Sequence, residues 1–116
     1  MENILEEITK DLFCLLPKGW NKVVLYSDVE EKHYNIFFYV KTKEGYVQCY
    51  NLESLCGTTE AEIDDFVEML YEKVLGLDEN VRSQYTVVIN SDLSFLVDYC
   101  YEEEFDLIEW KNKYLI

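Results

Sequence analysis

Histidine, proline and glycine are scarce in this sequence of 116 residues, which holds one histidine, one proline and four glycines. So few turn-forming residues argue against a loop-rich or low-complexity protein. A catalytic site of the Ser-His-Asp or Cys-His type would have to use His33, which we interpret instead as an exposed turn residue. Nowhere do 18 apolar residues follow one another, so no segment is predicted to span a membrane.

Motifs that bind metals, phosphates or dinucleotides are also missing: there is no EF-hand loop, no P-loop and no dinucleotide fingerprint. Cys14, Cys49, Cys56 and Cys100 show no CxxC spacing, so we interpret them as reduced, partly buried thiols of a cytoplasmic protein. The first ten residues carry no basic segment and are predicted to begin a helix, not a signal peptide. We therefore expect neither a cofactor nor a metal.

Positive charge is sparse beside negative charge. Ten Lys and Arg residues face 24 Asp and Glu residues, which gives a net charge of −14. Such a surface repels nucleic acids and anionic membranes, and it attracts basic proteins. The alternative is that the acids serve solubility alone. A pair of carboxylates could also cleave glycosides, but among 24 acids some pairs lie close together by chance.

Apolar periodicity is what the sequence has in plenty. Its apolar fraction of 49% suffices for one core, so residues 1–116 are predicted to form a single domain. Pro17 ends the first helical pattern, and Thr59 with Glu62 forms a capping box at the start of the second. Helices are predicted at 2–16, between Thr59 and Gly76, and within 102–116, and strands at 20–29, 34–42, 46–52, 84–92 and 94–101.

Short connections between these strands favour antiparallel pairing. The prediction is an α+β fold with a single antiparallel sheet of about five strands, helices on one face, and the order α-β-β-β-α-β-β-α. We expect Leu12, Phe66, Leu70 and Val97 to be buried between the sheet and the two long helices.

One acidic cluster is predicted on the second helix, where Glu60, Asp64, Glu68 and Glu72 lie four residues apart and share a face. Like charges at this spacing cost roughly 0.2–0.5 kcal/mol per pair. The row is either a solvated outer face or an alternative partner-binding surface.

The second acidic cluster follows the last strand, in the segment VDYCYEEEF. Acids beside exposed aromatic side chains are suited to holding a basic partner, because the rings supply buried area and the charges supply steering. If one face of the sheet is bare, Asp98 is presented there; otherwise the cluster is a solvated strand end. The candidate partner-binding residues are Asp98, Tyr101, Glu102, Glu103, Glu104 and Asp106.

Four segments, LLPKGWNKVVLY (15–26), FFYV (37–40), LVDYCY (96–101) and WKNKYL (110–115), together resemble the YezG-like immunity protein family. In that family's pattern a Leu-Pro and a Trp lead into the first strand, as Leu16, Pro17 and Trp20 do here. An Asp-Tyr-x-Tyr strand is then followed by a Trp-Lys-x-Lys-Tyr-Leu tail. In this chain those positions are Asp98, Tyr99, Tyr101, Trp110, Lys111, Lys113, Tyr114 and Leu115.

The resemblance implies a small cytoplasmic antitoxin that binds and neutralises a secreted polymorphic toxin, often one with a nuclease domain. It implies no catalytic residues. The first hypothesis is therefore a non-enzymatic immunity protein whose cognate toxin is a basic nuclease, with no nucleic-acid or membrane partner. Two alternatives stay open: an acidic adaptor for another basic protein, and a small hydrolase that uses two carboxylates.

Overall fold

The computed structural model describes residues 2–30, 33–75, 83–99 and 105–116. The elements within these ranges follow the predicted α+β order, with a 3-10 helix and a short α-helix added between the third strand and the second long helix. They are α1 (Glu2–Phe13), β1 (Lys22–Val29), β2 (Tyr34–Thr42), β3 (Gly45–Gln48), the 3-10 helix (Cys49–Asn51), α2 (Glu53–Cys56), α3 (Glu60–Leu75), β4 (Ser83–Asn90), β5 (Phe95–Tyr99) and α4 (Leu107–Tyr114).

The five strands form one antiparallel sheet in the order β3-β2-β1-β4-β5, as predicted. β1 lies in the middle, with Leu25 opposite Phe38 on one side and Val87 on the other. Every residue from Val23 to Ser27 is buried. Because successive side chains of a strand point to opposite faces, β1 needs cover on both faces of the sheet.

The larger core lies on the face that α1 and α3 cover. Leu12 and Leu70 are fully buried there and Phe66 nearly so, as expected from their helical spacing. Val97 was expected to be buried but is only half-buried, because it lies on the edge strand β5 at the rim of this core. The strands contribute alternate side chains to this face: Val23, Leu25, Ile36, Phe38, Val40, Tyr85, Val87 and Ile89.

The C-terminal helix α4 covers the opposite face. Its Trp110 is buried against Val24, Tyr26 and Val88. The two long helices share one face, as predicted, but α4 departs from the expected arrangement. The reason lies in β1, whose apolar residues supply both faces and leave a second apolar surface that is more stable when removed from water.

Local signals set the ends of several elements. At the start of α3 the Glu62 N–H donates to Thr59 Oγ1 and the Thr59 N–H donates to Glu62 Oε1, both at 3.2 Å, which confirms the capping box. α1 ends at Phe13, earlier than the predicted residue 16, and a tight turn follows. In the turn between β4 and β5, Leu93 adopts a φ of 71°.

Candidate partner-binding surfaces

Two of the six residues predicted at the acidic strand end fall within the described structure. Asp98 lies on β5, and Asp106 directly precedes α4. The other four lie outside the described residues: Tyr101, Glu102, Glu103 and Glu104.

Asp98 points toward α4, which covers part of the sheet face on which Asp98 was expected to be presented. The Tyr114 hydroxyl donates a hydrogen bond to Asp98 Oδ2, and Lys113 Nζ lies 3.5 Å from the same oxygen. The Tyr114 hydrogen bond, aided by the charge of Lys113, lowers the pKa of Asp98 against the opposing effect of desolvation. Asp98 thereby fastens the edge strand β5 to α4.

Asp106 serves as the N-cap of α4. Its backbone is extended, and its Oδ1 accepts hydrogen bonds from the N–H groups of Ile108 at 2.9 Å and Glu109 at 3.2 Å. These N–H groups have no partner within the helix, so the carboxylate both satisfies them and complements the positive end of the helix dipole. Asp98 and Asp106 thus bind opposite ends of α4, and the two do not form one patch.

The acidic row on α3 is exposed along its length, at Glu60, Asp64, Glu68 and Glu72. Among the described residues, no cation forms an ion pair with Glu60, Glu68 or Glu72. The one basic residue of the helix, Lys73, instead lies 3.0 Å from Glu7 and 3.7 Å from Asp11 of α1. The negative potential of this row is therefore directed outward.

Tyrosines lie beside this row, which the sequence did not reveal. The Tyr50 hydroxyl donates to Asp64 Oδ1 at 2.8 Å, and the rings of Tyr34 and Tyr71 lie 4.5 Å apart. The pKa of Tyr50 is raised mainly by burial of its hydroxyl and also by the neighbouring Asp64 carboxylate. A groove of about 340 Å³ runs here between β2 and α3, with Tyr34, Tyr50 and Asp64 in its wall. Tyr34 and Tyr50 belong to other elements, so only the packing of β2 and the 3-10 helix on α3 brings them to the acids.

Groups suited to catalysis are not gathered in the described part of the chain. His33 Nε2 lies 3.3 Å from Glu30 Oε2 at an exposed turn. The described residues contain no group of three or more His, Cys, Asp or Glu side chains placed to hold a metal ion. Hydrogen bonds from Ser94 lower the pKa of Asp92, and that of Asp98 is lowered too. Both shifts run opposite to the raised pKa that a carboxylic general acid needs.

A cavity of about 100 Å³ lies between the sheet and α4, lined by Tyr26, Gln84, Trp110 and other residues. It is smaller than the roughly 300–1,000 Å³ of most ligand sites. Two of the polar side chains in its wall bind each other, because Gln84 Nε2 donates a hydrogen bond to the Tyr26 hydroxyl at 2.8 Å. This cavity therefore belongs to the second core and offers no substrate site.

The cysteines are free where they are described. Cys49 is buried, and burial raises the pKa of its thiol. Cys14 and Cys56 are exposed, in contrast to the expected partial burial, and Cys100 lies outside the described residues. A raised thiol pKa disfavours the thiolate, so Cys49 is suited to packing and not to nucleophilic chemistry.

Comparison with known proteins bears on the whole chain. The family described as "Immunity protein YezG-like" has a model that matches residues 1–115. Comparison of the sequence with curated proteins found no match. None of the described helices is both long enough and apolar enough to cross a lipid bilayer. The resemblance carried by Leu16, Pro17 and Trp20 and by the C-terminal tail is confirmed by this match.

Proposed function

Because the chain belongs to the YezG-like immunity protein family, we propose that it is the antitoxin of a secreted polymorphic toxin and neutralises that toxin by binding it in the cytoplasm. The match over residues 1–115 is the observation that carries the proposal. The proposed target is a basic nuclease domain, since proteins that grip phosphate groups are positively charged where they do so. The antitoxin needs no cofactor and catalyses no reaction of its own.

Charge supports this choice of partner. A net charge of −14 attracts a basic domain from beyond contact distance and raises the rate of association. Carboxylates set against a nuclease cleft take the place of the phosphates that the cleft binds. They need no chemistry to do so, because occupancy alone excludes the substrate.

The proposed contact surface is the acidic strand end, with Asp98, Tyr101, Glu102, Glu103, Glu104 and Asp106. Asp98 and Asp106 also bind the two ends of α4, so they have a structural role in addition to the proposed contact. The exposed row on α3 is the competing surface, and its neighbouring tyrosines make it a stronger competitor than the sequence indicated.

Co-purification tests the function directly. The family resemblance implies that the toxin is encoded beside the antitoxin and ends in its toxic domain. The chain is therefore mixed with the C-terminal domain of the protein encoded by the neighbouring gene, and the mixture is separated by size exclusion. We expect a stable complex and loss of the domain's nuclease activity at an equimolar ratio. A neighbouring product without toxic activity, bound all the same, would favour the acidic adaptor.

A turnover assay tests the absence of catalysis. The purified chain should hydrolyse neither nucleic acids, esters nor glycosides. Turnover that is lost in His33→Ala or in a single Asp→Asn variant would contradict the proposal and favour the carboxylate-dependent hydrolase.

A further inference from the structure

The outer edge of β5 is open in the described structure. β5 is the last strand of the sheet, and the described residues include no strand that pairs with its outer side. The Asn90 N–H donates to the Ser94 carbonyl at 3.0 Å, so the backbone groups of Ser94 face β4. Because these groups alternate in direction along an antiparallel strand, the N–H and C=O groups of Phe95, Val97 and Tyr99 point away from the sheet.

The side chains of the same three residues share one face, and the helices do not cover it at this edge. Tyr85 and Ile89 on β4 are 0% and 1% exposed, while their partners on β5, Tyr99 and Phe95, are 51% and 41% exposed. The helices α1 and α3 therefore cover this face of the sheet as far as β4 but leave β5 partly exposed. A row of two aromatic side chains around the half-buried Val97 remains in contact with solvent.

This edge lacks the lysine and proline residues that often prevent strand addition. Open edges are normally blunted by lysine, proline, bulges or short length. The β5 sequence FLVDY contains neither lysine nor proline, and its one charge, Asp98, is turned toward Lys113 and Tyr114. The opposite edge, β3, is only four residues long and passes directly into the 3-10 helix.

We propose that the outer edge of β5 docks an extended, cationic segment of the toxin, which pairs with it as a sixth strand. This inference rests on the proposed function and names the way in which the partner binds. Backbone hydrogen bonds to Phe95, Val97 and Tyr99 supply affinity, and alternate apolar side chains of the added strand pack against the exposed row. A second copy of this chain is the less favourable occupant, because each copy brings a net charge of −14 to the contact.

Amide hydrogen exchange followed by NMR tests the pairing. Exchange is measured for the chain alone and in complex with the toxin domain encoded by the neighbouring gene. The amides of Phe95, Val97 and Tyr99 should exchange at least ten-fold more slowly in the complex. The amides of Leu96 and Asp98 face β4 and serve as internal controls with smaller changes. Unchanged exchange at the three outward amides of a formed complex would overturn the proposal.

Variants separate the backbone contribution from that of the side chains. Val97→Pro removes an outward N–H without removing a hydrogen bond to β4, and we expect dissociation from the toxin domain to be at least ten-fold faster. Phe95→Ser with Tyr99→Ser tests the exposed row even if the proline variant does not fold. Leu55→Ser is the matched control, because Leu55 is 43% exposed and lies on α2. Circular dichroism checks the fold of each variant.

The outcomes distinguish this inference from the proposed function. If the wild-type chain forms no complex with the toxin domain, the proposed function fails. If the complex forms and both β5 variants dissociate at the wild-type rate, only the edge proposal fails. Sedimentation of the chain without toxin tests for a dimer that is lost in the β5 variants. Such a dimer would assign the edge to a second copy of this chain and contradict the proposal that it binds the toxin.

Discussion

Trp110 donates a hydrogen bond from Nε1 to the Thr86 hydroxyl at 2.9 Å, across the interface between α4 and β4. Both residues are buried, so the indole N–H has no access to water as a substitute partner. This one bond fixes the depth at which the largest side chain of α4 sits on the second face of the sheet.

Thr86→Val should therefore destabilise the protein by about 1–3 kcal/mol, because it leaves a buried donor without an acceptor while keeping the side-chain shape. The free energy of unfolding in urea is the measurement. Thr86→Ser keeps the hydroxyl and should be the more stable of the two variants. A valine variant as stable as wild type would show that the hydrogen bond contributes nothing.

Asp98 should make stability depend on pH in a defined direction. Its folded-state pKa lies below the ordinary value of 3.8, so its carboxylate stabilises the fold above that value. This contribution is lost as the pH falls through the folded-state pKa. Asp98→Asn should be less stable than wild type near neutral pH, and the gap in unfolding free energy should close in strong acid.

The control for Asp98 is Tyr114→Phe, which removes the donating hydroxyl but keeps the ring. Since the two residues share one hydrogen bond, the effects of Asp98→Asn and Tyr114→Phe should not add in the double variant. Additive losses, or a gap that stays constant across the acid range, would contradict the assignment of Asp98 as the link between β5 and α4.

Leu93→Gly should stabilise the turn between β4 and β5. A leucine at a φ of 71° is strained by about 1–3 kcal/mol, and glycine adopts this conformation freely. Glycine loses roughly 0.5–1 kcal/mol through its greater freedom in the unfolded chain, so a net gain of up to about 2.5 kcal/mol is expected. Thermal unfolding measures it. Leu93→Ala retains the strain, and a gain of the same size in that variant would refute the explanation.

Association kinetics should identify the acidic surface that meets the toxin. Changing Glu102, Glu103 and Glu104 to Gln removes charge and keeps size, so the fold should survive. Association should slow ten-fold or more at low salt, and the wild-type and variant rates should converge at high salt, where charges are screened.

Glu68→Gln with Glu72→Gln is the control for that experiment. A loss confined to this second variant would move the contact to the α3 row beside Tyr50. No change in either variant would mean that the acidity serves solubility alone.

The sequence predicted those elements whose signals are local. The bounds of β2, Tyr34–Thr42, follow from its alternating pattern, and the capping box of α3 follows from Thr59 and Glu62. The end of α1 was predicted too late because Leu15 and Leu16 continue the helical period through a tight turn. β3 was predicted too long because the chain turns into a 3-10 helix at Cys49, which is buried.

The site could be predicted only in part, because its geometry depends on contacts between distant segments. Alternation correctly placed Asp98 on the face opposite Val97, but no pattern showed that Tyr114, sixteen residues further on, would bind it. Asp106 was predicted at the partner surface from charge density, which does not reveal that it is also the N-cap of α4; its contact with a partner stays a prediction. The roles of Glu102, Glu103 and Glu104 stay predictions.

The central position of β1 has a consequence for how the protein is made. Its partner β2 follows it directly, while its other partner, β4, begins only at Ser83. On the ribosome, the first hairpin is therefore complete while the second edge of β1, which is rich in apolar residues, still has no strand to pair with. A chain that is truncated before β4 would present that edge as a template for aggregation. Premature termination after β2 and before Ser83 should thus yield insoluble fragments rather than partly functional ones.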